Sequence, residues 1–172
     1  MITLTHTKQA YAAYVAGDIS REDYKAIVKN ACPTPGACPF MGTANTMCAT
    51  AEILGLSPHG NASVRSQTPE WRQMAVEAAK KIMELVKEEI RPLDVIKYEN
   101  FENVVRYMMA TGGSTNSILH IPAIARQAGF DITPELFDRI SREVPVISTI
   151  YPNHPSYTMA EFSEAGGLGA VL

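Results

Sequence analysis

The sequence predicts a helix-rich chain with almost no strand of its own, and three observations carry that reading. Helix-start signals occur three times, at Ser20-Arg-Glu-Asp23, Thr68-Pro-Glu70 and Thr133-Pro-Glu135. Apolar residues after them recur at the three-to-four-residue spacing of a helix. Only Val146-Ile-Ser-Thr-Ile150 is short, β-branched and strand-like. A self-standing α/β domain alternates strands with helices, and this chain does not.

In chain order, Ser20 and Asp23 form a capping box that opens a helix to about Lys29. The next stretch, Ala31-Cys-Pro-Thr-Pro-Gly-Ala-Cys-Pro-Phe-Met-Gly42, packs two cysteines among prolines and glycines. Pro33, Pro35 and Pro39 fix their own φ and push the preceding residues toward extended backbone. Gly36 and Gly42 permit turns that a side chain would forbid. Such a loop is stiff enough to aim a thiol. Thr43, Asn45 and Thr46 then surround a helix start, where orphan amides receive anions and a nearby thiol acidifies.

The Thr68 signal opens a long helix to about Ile90. Trp71, Met74, Ala78, Ile82, Leu85 and Val86 form its packing face, and Lys80, Glu84, Lys87 and Glu88 face water. A further helix runs from about Glu99 to Ala110, with Phe101, Val104, Val105, Met108 and Met109 on its apolar side. The Thr133 signal opens one ending near Val144. No internal repeat, low-complexity tract or interdomain linker interrupts this order.

At 172 residues the chain is long enough for one domain with a real core. Fifteen basic against 18 acidic residues give a net charge of −3, which argues against nucleic acid or an anionic membrane as partner. No run approaches a membrane span, and the start runs into polar Thr5-His-Thr-Lys8 rather than a signal peptide. Three cysteines at irregular spacing are no disulfide framework. The expected location is a reducing cytoplasm or an organelle interior.

Six blocks in order carry a resemblance. Ala31-Cys-Pro-x-x-Gly-Ala-Cys38-x-x-Met-x-Thr-Ala-Asn-Thr-Met47 resembles the signature loop of the dihydroxy-acid dehydratase and phosphogluconate dehydratase family. Glu52-Ile-Leu-Gly-Leu-Ser57 resembles its "EALGLS" helix end and Phe101-Glu-Asn103 its "FENA" helix. Gly112-Gly-Ser-Thr-Asn116 with His120 resembles "GGSTNxxxH". Asp138-Arg-Ile-Ser141 and Ala165-Gly-Gly167 match two later blocks.

The resemblance implies an α/β fold class in which this chain is a helix-rich fragment of a three-layer α/β/α domain. Residues 1–172 then correspond to the middle part of the N-terminal domain, with the second domain absent, as a truncation, a split subunit or a remnant. It implies a hydro-lyase that converts a 2,3-dihydroxy carboxylic acid to a 2-keto acid, as in branched-chain amino-acid synthesis. An iron–sulfur cluster (2Fe-2S or 4Fe-4S) polarises the leaving hydroxyl, Mg2+ holds the carboxylate end, and a serine in the second domain takes the C2 proton. Homo-oligomers or a complementing subunit are the implied partners besides the dihydroxy acid.

Transferred residue by residue, the family's third cluster ligand falls on Cys38. Cys32 takes a structural place near the cluster, and Cys48 reads as a small buried hydrophobe. The family's other ligands, magnesium acids and serine match no segment here, so this chain holds no catalytic residue and is expected not to turn over alone. Ser114, Thr115 and Asn116 are the substrate-pocket candidates. Gly112–Asn116 reads equally as a helix C-terminus followed by a new N-cap.

Pro39-Phe40 stand where branched-chain enzymes have two glycines, and Met41-Gly42-Thr43 is closer to the aldonic-acid and phosphogluconate branches. Asn45 and Thr46 fit the branched-chain type, so the substrate branch stays open. Pro122 should kink or restart its helix. A zinc site from Cys32, Cys38, Cys48 and His59 fits no common ligand spacing. His120, among Ile118, Leu119 and Ile121, reads as a core histidine, while His6, His59 and His154 carry no signal. The fragment should leave an apolar face bare where absent parts would dock.

Overall fold

The structure, a computed structural model, describes Ile2 and residues 4–31 and 35–172. Cys32 lies outside the described residues. Helices dominate, and the single β-bridge among the described residues is a parallel one between Ile2 and Ala31. The chain forms two compact units, Met1–Pro39 and Phe40–Leu172.

In the first unit, α1 (Leu4–Ala16) packs against α2 (Arg21–Lys29). Gly17, at φ +85°, ends α1, and the Asp18 amide donates back to Ala13 O at 2.8 Å. Ser20 caps α2 as the sequence predicts, its hydroxyl accepting from the Asp23 amide at 3.0 Å. Tyr14 and Tyr24 stack across the pair at 5.4 Å.

The second unit holds α3 (Thr43–Ile53), α4 (Pro69–Lys87), α5 (Pro92–Val95), α6 (Tyr98–Thr111), α7 (Ser117–Gln127), α8 (Pro134–Glu143), α9 (Met159–Glu164) and α10 (Gly167–Val171). Its centre is α6. Phe101, Val104, Val105 and Met108 bury one side against Leu54, Ile121, Ala125, Leu136, Phe137 and Ile140. Tyr107 faces a second cluster with Met41, Ala49, Ile150, Phe162 and Leu168. Both the α6 face and the α8 start match the sequence pattern. Arg139 of α8 reaches Glu102 of α6 at 2.7 Å and Glu143 at 3.3 Å, so the Asp138–Ser141 block puts Ile140 in the core and an ion pair on its rim.

Four expectations need correction. The helix from Thr68 ends at Lys87, not Ile90: Glu89 turns to φ +56° and the Ile90 amide closes back on Leu85 O at 2.9 Å. Its apolar face does not pack as a core. No residue of α4 is buried, and Val76, Ile82, Met83 and Val86 are about half exposed or more. At 100° per residue, Ala75, Val76, Ala79, Ile82, Met83 and Val86 fill an arc of about 120°, and all six are exposed. Periodicity marks a face that wants burial but does not supply the surface that buries it. The bare face itself is as expected.

Val146–Ile150 is not a strand. The amides of Ile147 and Ser148 both donate to Ala110 O at the end of α6, and Val146 and Ile147 are exposed. β-branched residues suit a pleated, half-buried surface, and among the described residues no neighbouring strand provides one. Pro122 does not restart α7, which runs through it from Ser117 to Gln127. The proline withholds the N–H that would have bonded Ile118 O, four residues back.

Candidate functional site

The site is assembled where the start of α3 meets the turn between α6 and α7. Gly42 is the N-cap of α3 in extended backbone and has no side chain to satisfy the first amides. The approach to it is fixed from three sides. The Met41 amide donates to Tyr151 O at 2.9 Å, the Phe40 ring packs on Tyr151 at 4.9 Å, and the Asn45 side-chain amide donates to Phe40 O.

The partner turn begins at Gly112, whose φ of +67° closes α6. A side chain there would be strained by that φ, and its Cβ would lie 2.7 Å from Nδ2 of Asn153. That nitrogen donates to Gly112 O at 2.9 Å. The Gly113 amide returns to Met108 O at 3.0 Å. The backbone thus leaves α6 and delivers Ser114 to the start of α3.

Four side chains meet there. Oγ1 of Thr43 and Oγ of Ser114 are 3.1 Å apart. Nδ2 of Asn116 donates to Thr43 Oγ1 at 2.7 Å, and the Asn116 amide to Ser114 Oγ at 3.3 Å. The buried Thr46 hydroxyl accepts from the Ser114 amide at 3.0 Å. The network is neutral, built of hydroxyls, a carboxamide and helix-start amides. Such a set can hold an anionic or hydroxylated group by hydrogen bonds, but it contains no base for abstracting a proton.

Of the sequence candidates, Ser114 and Asn116 are in this network and Thr115 is exposed outside it, offering only its carbonyl to the Ile118 amide at 3.1 Å. Thr43 and Thr46 join from 71 and 68 residues away. His120 is exposed rather than a core histidine, because α7 turns Ser117, Ile121 and Ala125 inward instead. Cys48 is half-buried, and burial pushes its thiol pKa up, as fits a packing role. Cys38 lies in the first unit with a half-buried thiol.

Among the described residues, no three His, Cys, Asp or Glu side chains come together as a metal-holding group. The donor set described here therefore does not by itself fit a cluster held by three thiolates.

A second polar site went unread in the sequence. Glu52 is buried, its side chain 3% exposed, while its partner His59 is 85% exposed. The carboxylate accepts from the amides of Gly60 at 2.6 Å and Ala62 at 2.8 Å, and His59 Nδ1 lies 3.1 Å from it. Loop 57–64 wraps this charge, so the burial cost is offset by directed donors. The loop then receives the chain's last helices. Ser163 donates to Ser63 O at 2.6 Å, the Leu168 amide to Ser63 Oγ at 3.3 Å, and Arg65 pairs with Glu164. Gly167 has no room for a Cβ against Ser63, which gives the Ala165-Gly-Gly167 block a packing reason. The readable signal was an acidic residue at the end of an apolar helix, followed by a glycine-containing loop.

Residues 1–172 match the family model described as dihydroxy-acid/6-phosphogluconate dehydratase, N-terminal. The chain belongs to that family. It is 40% identical over 171 residues to Dihydroxy-acid dehydratase 2 of Burkholderia lata. It is 38% identical over 170 residues to a dihydroxy-acid dehydratase of Roseiflexus sp. strain RS-1, and 39% over 171 to one of Burkholderia mallei. Each match covers 99% of this chain and 30% of the relative, so the chain spans under a third of the curated relatives' length.

Proposed function

We propose that this chain is a segment of an iron–sulfur-dependent hydro-lyase that converts a 2,3-dihydroxy carboxylic acid to a 2-keto acid. The observation that carries the reading is the meeting of Thr43 with Ser114 and Asn116, two motif segments 71 and 73 residues apart in sequence. In this reading their hydroxyl and amide groups receive the substrate's oxygens. Cys38 contributes one thiolate to a cluster completed by residues outside the chain, which supply the magnesium site and the proton-abstracting base as well. The rest of the protein also supplies the sheet of a three-layer α/β/α domain, against which helices such as α4 would pack. The branched-chain precursor is the first substrate to try, because the relatives are named dihydroxy-acid dehydratase; aldonic acids and 6-phosphogluconate are the alternatives.

The test is 2-keto acid formation from dihydroxyisovalerate and a panel of aldonic acids, run anaerobically with iron, sulfide and magnesium. The enzyme carries this segment together with the remainder of the dehydratase. Ser114→Ala is expected to lower kcat/KM about tenfold or more, by loss of a hydrogen bond to a charged group. Turnover equal to the parent's would contradict the placement of the pocket. The 172-residue chain alone is expected to give no turnover.

A further inference from the structure

We propose that the loop between Ile150 and Thr158 is a pH-sensitive strap, holding the Gly112–Asn116 turn in place while His154 is neutral. The loop closes on itself through the Tyr151 amide, which donates to Tyr157 O at 2.6 Å. Inside it, the amides of Ser156 and Tyr157 both donate to Nδ1 of His154, at 3.1 and 3.2 Å. A ring nitrogen that receives two N–H groups carries no proton of its own, so the hydrogen sits on Nε2.

The ring is half-buried and stacked on Tyr157 at 4.4 Å, and that phenol is the titratable group against it. Among the described residues no ion pair reaches its nitrogens. The next carboxylate along the chain, Glu161, is engaged by Thr158. The same loop is tied to the site at Met41, at Phe40 and, through Asn153, at Gly112 O.

Protonation of Nδ1 makes it a donor facing two donors. Both inner hydrogen bonds are lost, the loop opens, and the Asn153 anchor on Gly112 goes with it. The sign follows directly: the neutral ring holds the loop, so the strap is intact at higher pH and released as pH falls. The titration of the strap stands apart from the dehydratase reading, and only its consequence for substrate binding rests on that reading.

The test is amide NMR and hydrogen exchange on the intact chain between pH 8 and pH 5, with no turnover involved. Corrected for intrinsic exchange, the Ser156 and Tyr157 amides are expected to exchange about fivefold or more faster at the acid end. The Gly112–Ser114 resonances are expected to shift with the midpoint of the His154 ring. His154→Asn, whose carbonyl oxygen accepts at every pH in this window, should remove that midpoint from both segments. Asn153→Ala should keep it at Ser156 and Tyr157 and remove it from Gly112–Ser114. Gly112–Ser114 signals that stay fixed through the ring's titration would overturn the proposal. So would an unchanged midpoint there in Asn153→Ala, which decides the matter if His154→Asn does not fold.

Discussion

Helices α6 and α4 are written in the same code and end in opposite circumstances. Both carry apolar residues at helical spacing with charges opposite. In α6, Phe101, Val104 and Val105 meet α7 and α8 and are fully buried. In α4, the longer of the two, nothing is buried and an arc of six apolar residues is exposed. The difference is one of partners, not of pattern. An amphipathic period announces a face, and a core forms only where the same chain also brings a second face to it.

Core truncation should separate the two helices most sharply. Phe101→Ala is expected to cost about 3–5 kcal/mol in denaturant unfolding of the isolated chain. Met83→Ala in α4 should cost within about 0.5 kcal/mol, as exposed substitutions do. A comparable loss at both positions would break the comparison.

Glu52→Gln comes next. The carboxamide offers one acceptor oxygen where the carboxylate offers two, and its NH2 would face an amide donor. The expected loss is about 2–3 kcal/mol, with loop 57–64 and the last two helices losing exchange protection together. The capping hydroxyl of Thr68 accepts from the Trp71 amide at 3.2 Å. Thr68→Ala should cost about 1 kcal/mol or less, because α4 is not locked to the core, and helicity by circular dichroism should fall before global stability does.

The smallest effect concerns acid. The Thr158 hydroxyl and amide hold the Glu161 carboxyl below its ordinary range. A depressed folded pKa contributes stability above the unfolded carboxylate range and loses it as pH falls through the folded value. The first turn of α9 should therefore fray at acid pH, read as faster exchange at Ala160 and Phe162, and Glu161→Gln should remove that dependence.

Helix starts were legible because their determinants are local: Ser20 with Asp23, Thr68 with Pro69, and Thr133 with Pro134 act within one turn. The α6 face was legible for the same reason. The joining of Thr43 to Ser114 was not legible: the two motifs were read separately, and hydrogen bonds across 71 residues leave no periodic trace. The Glu52 clip was missed because its donors are mostly backbone amides, which every residue has. Val146–Ile150 misled because β-branching reports a surface that a partner strand must complete. His120 misled because apolar neighbours in sequence are not neighbours across a helix.

We propose that Cys38 supplies one thiolate to a cluster completed by residues outside this chain. The most direct test is iron and sulfide content, per protomer, of the anaerobically purified complete dehydratase carrying this segment, for the parent and for Cys38→Ser. The account expects the variant to lose most of its iron while Cys48→Ala retains it, since a hydroxyl is a poor substitute for a thiolate on iron. Equal iron in the Cys38 variant and the parent would contradict it.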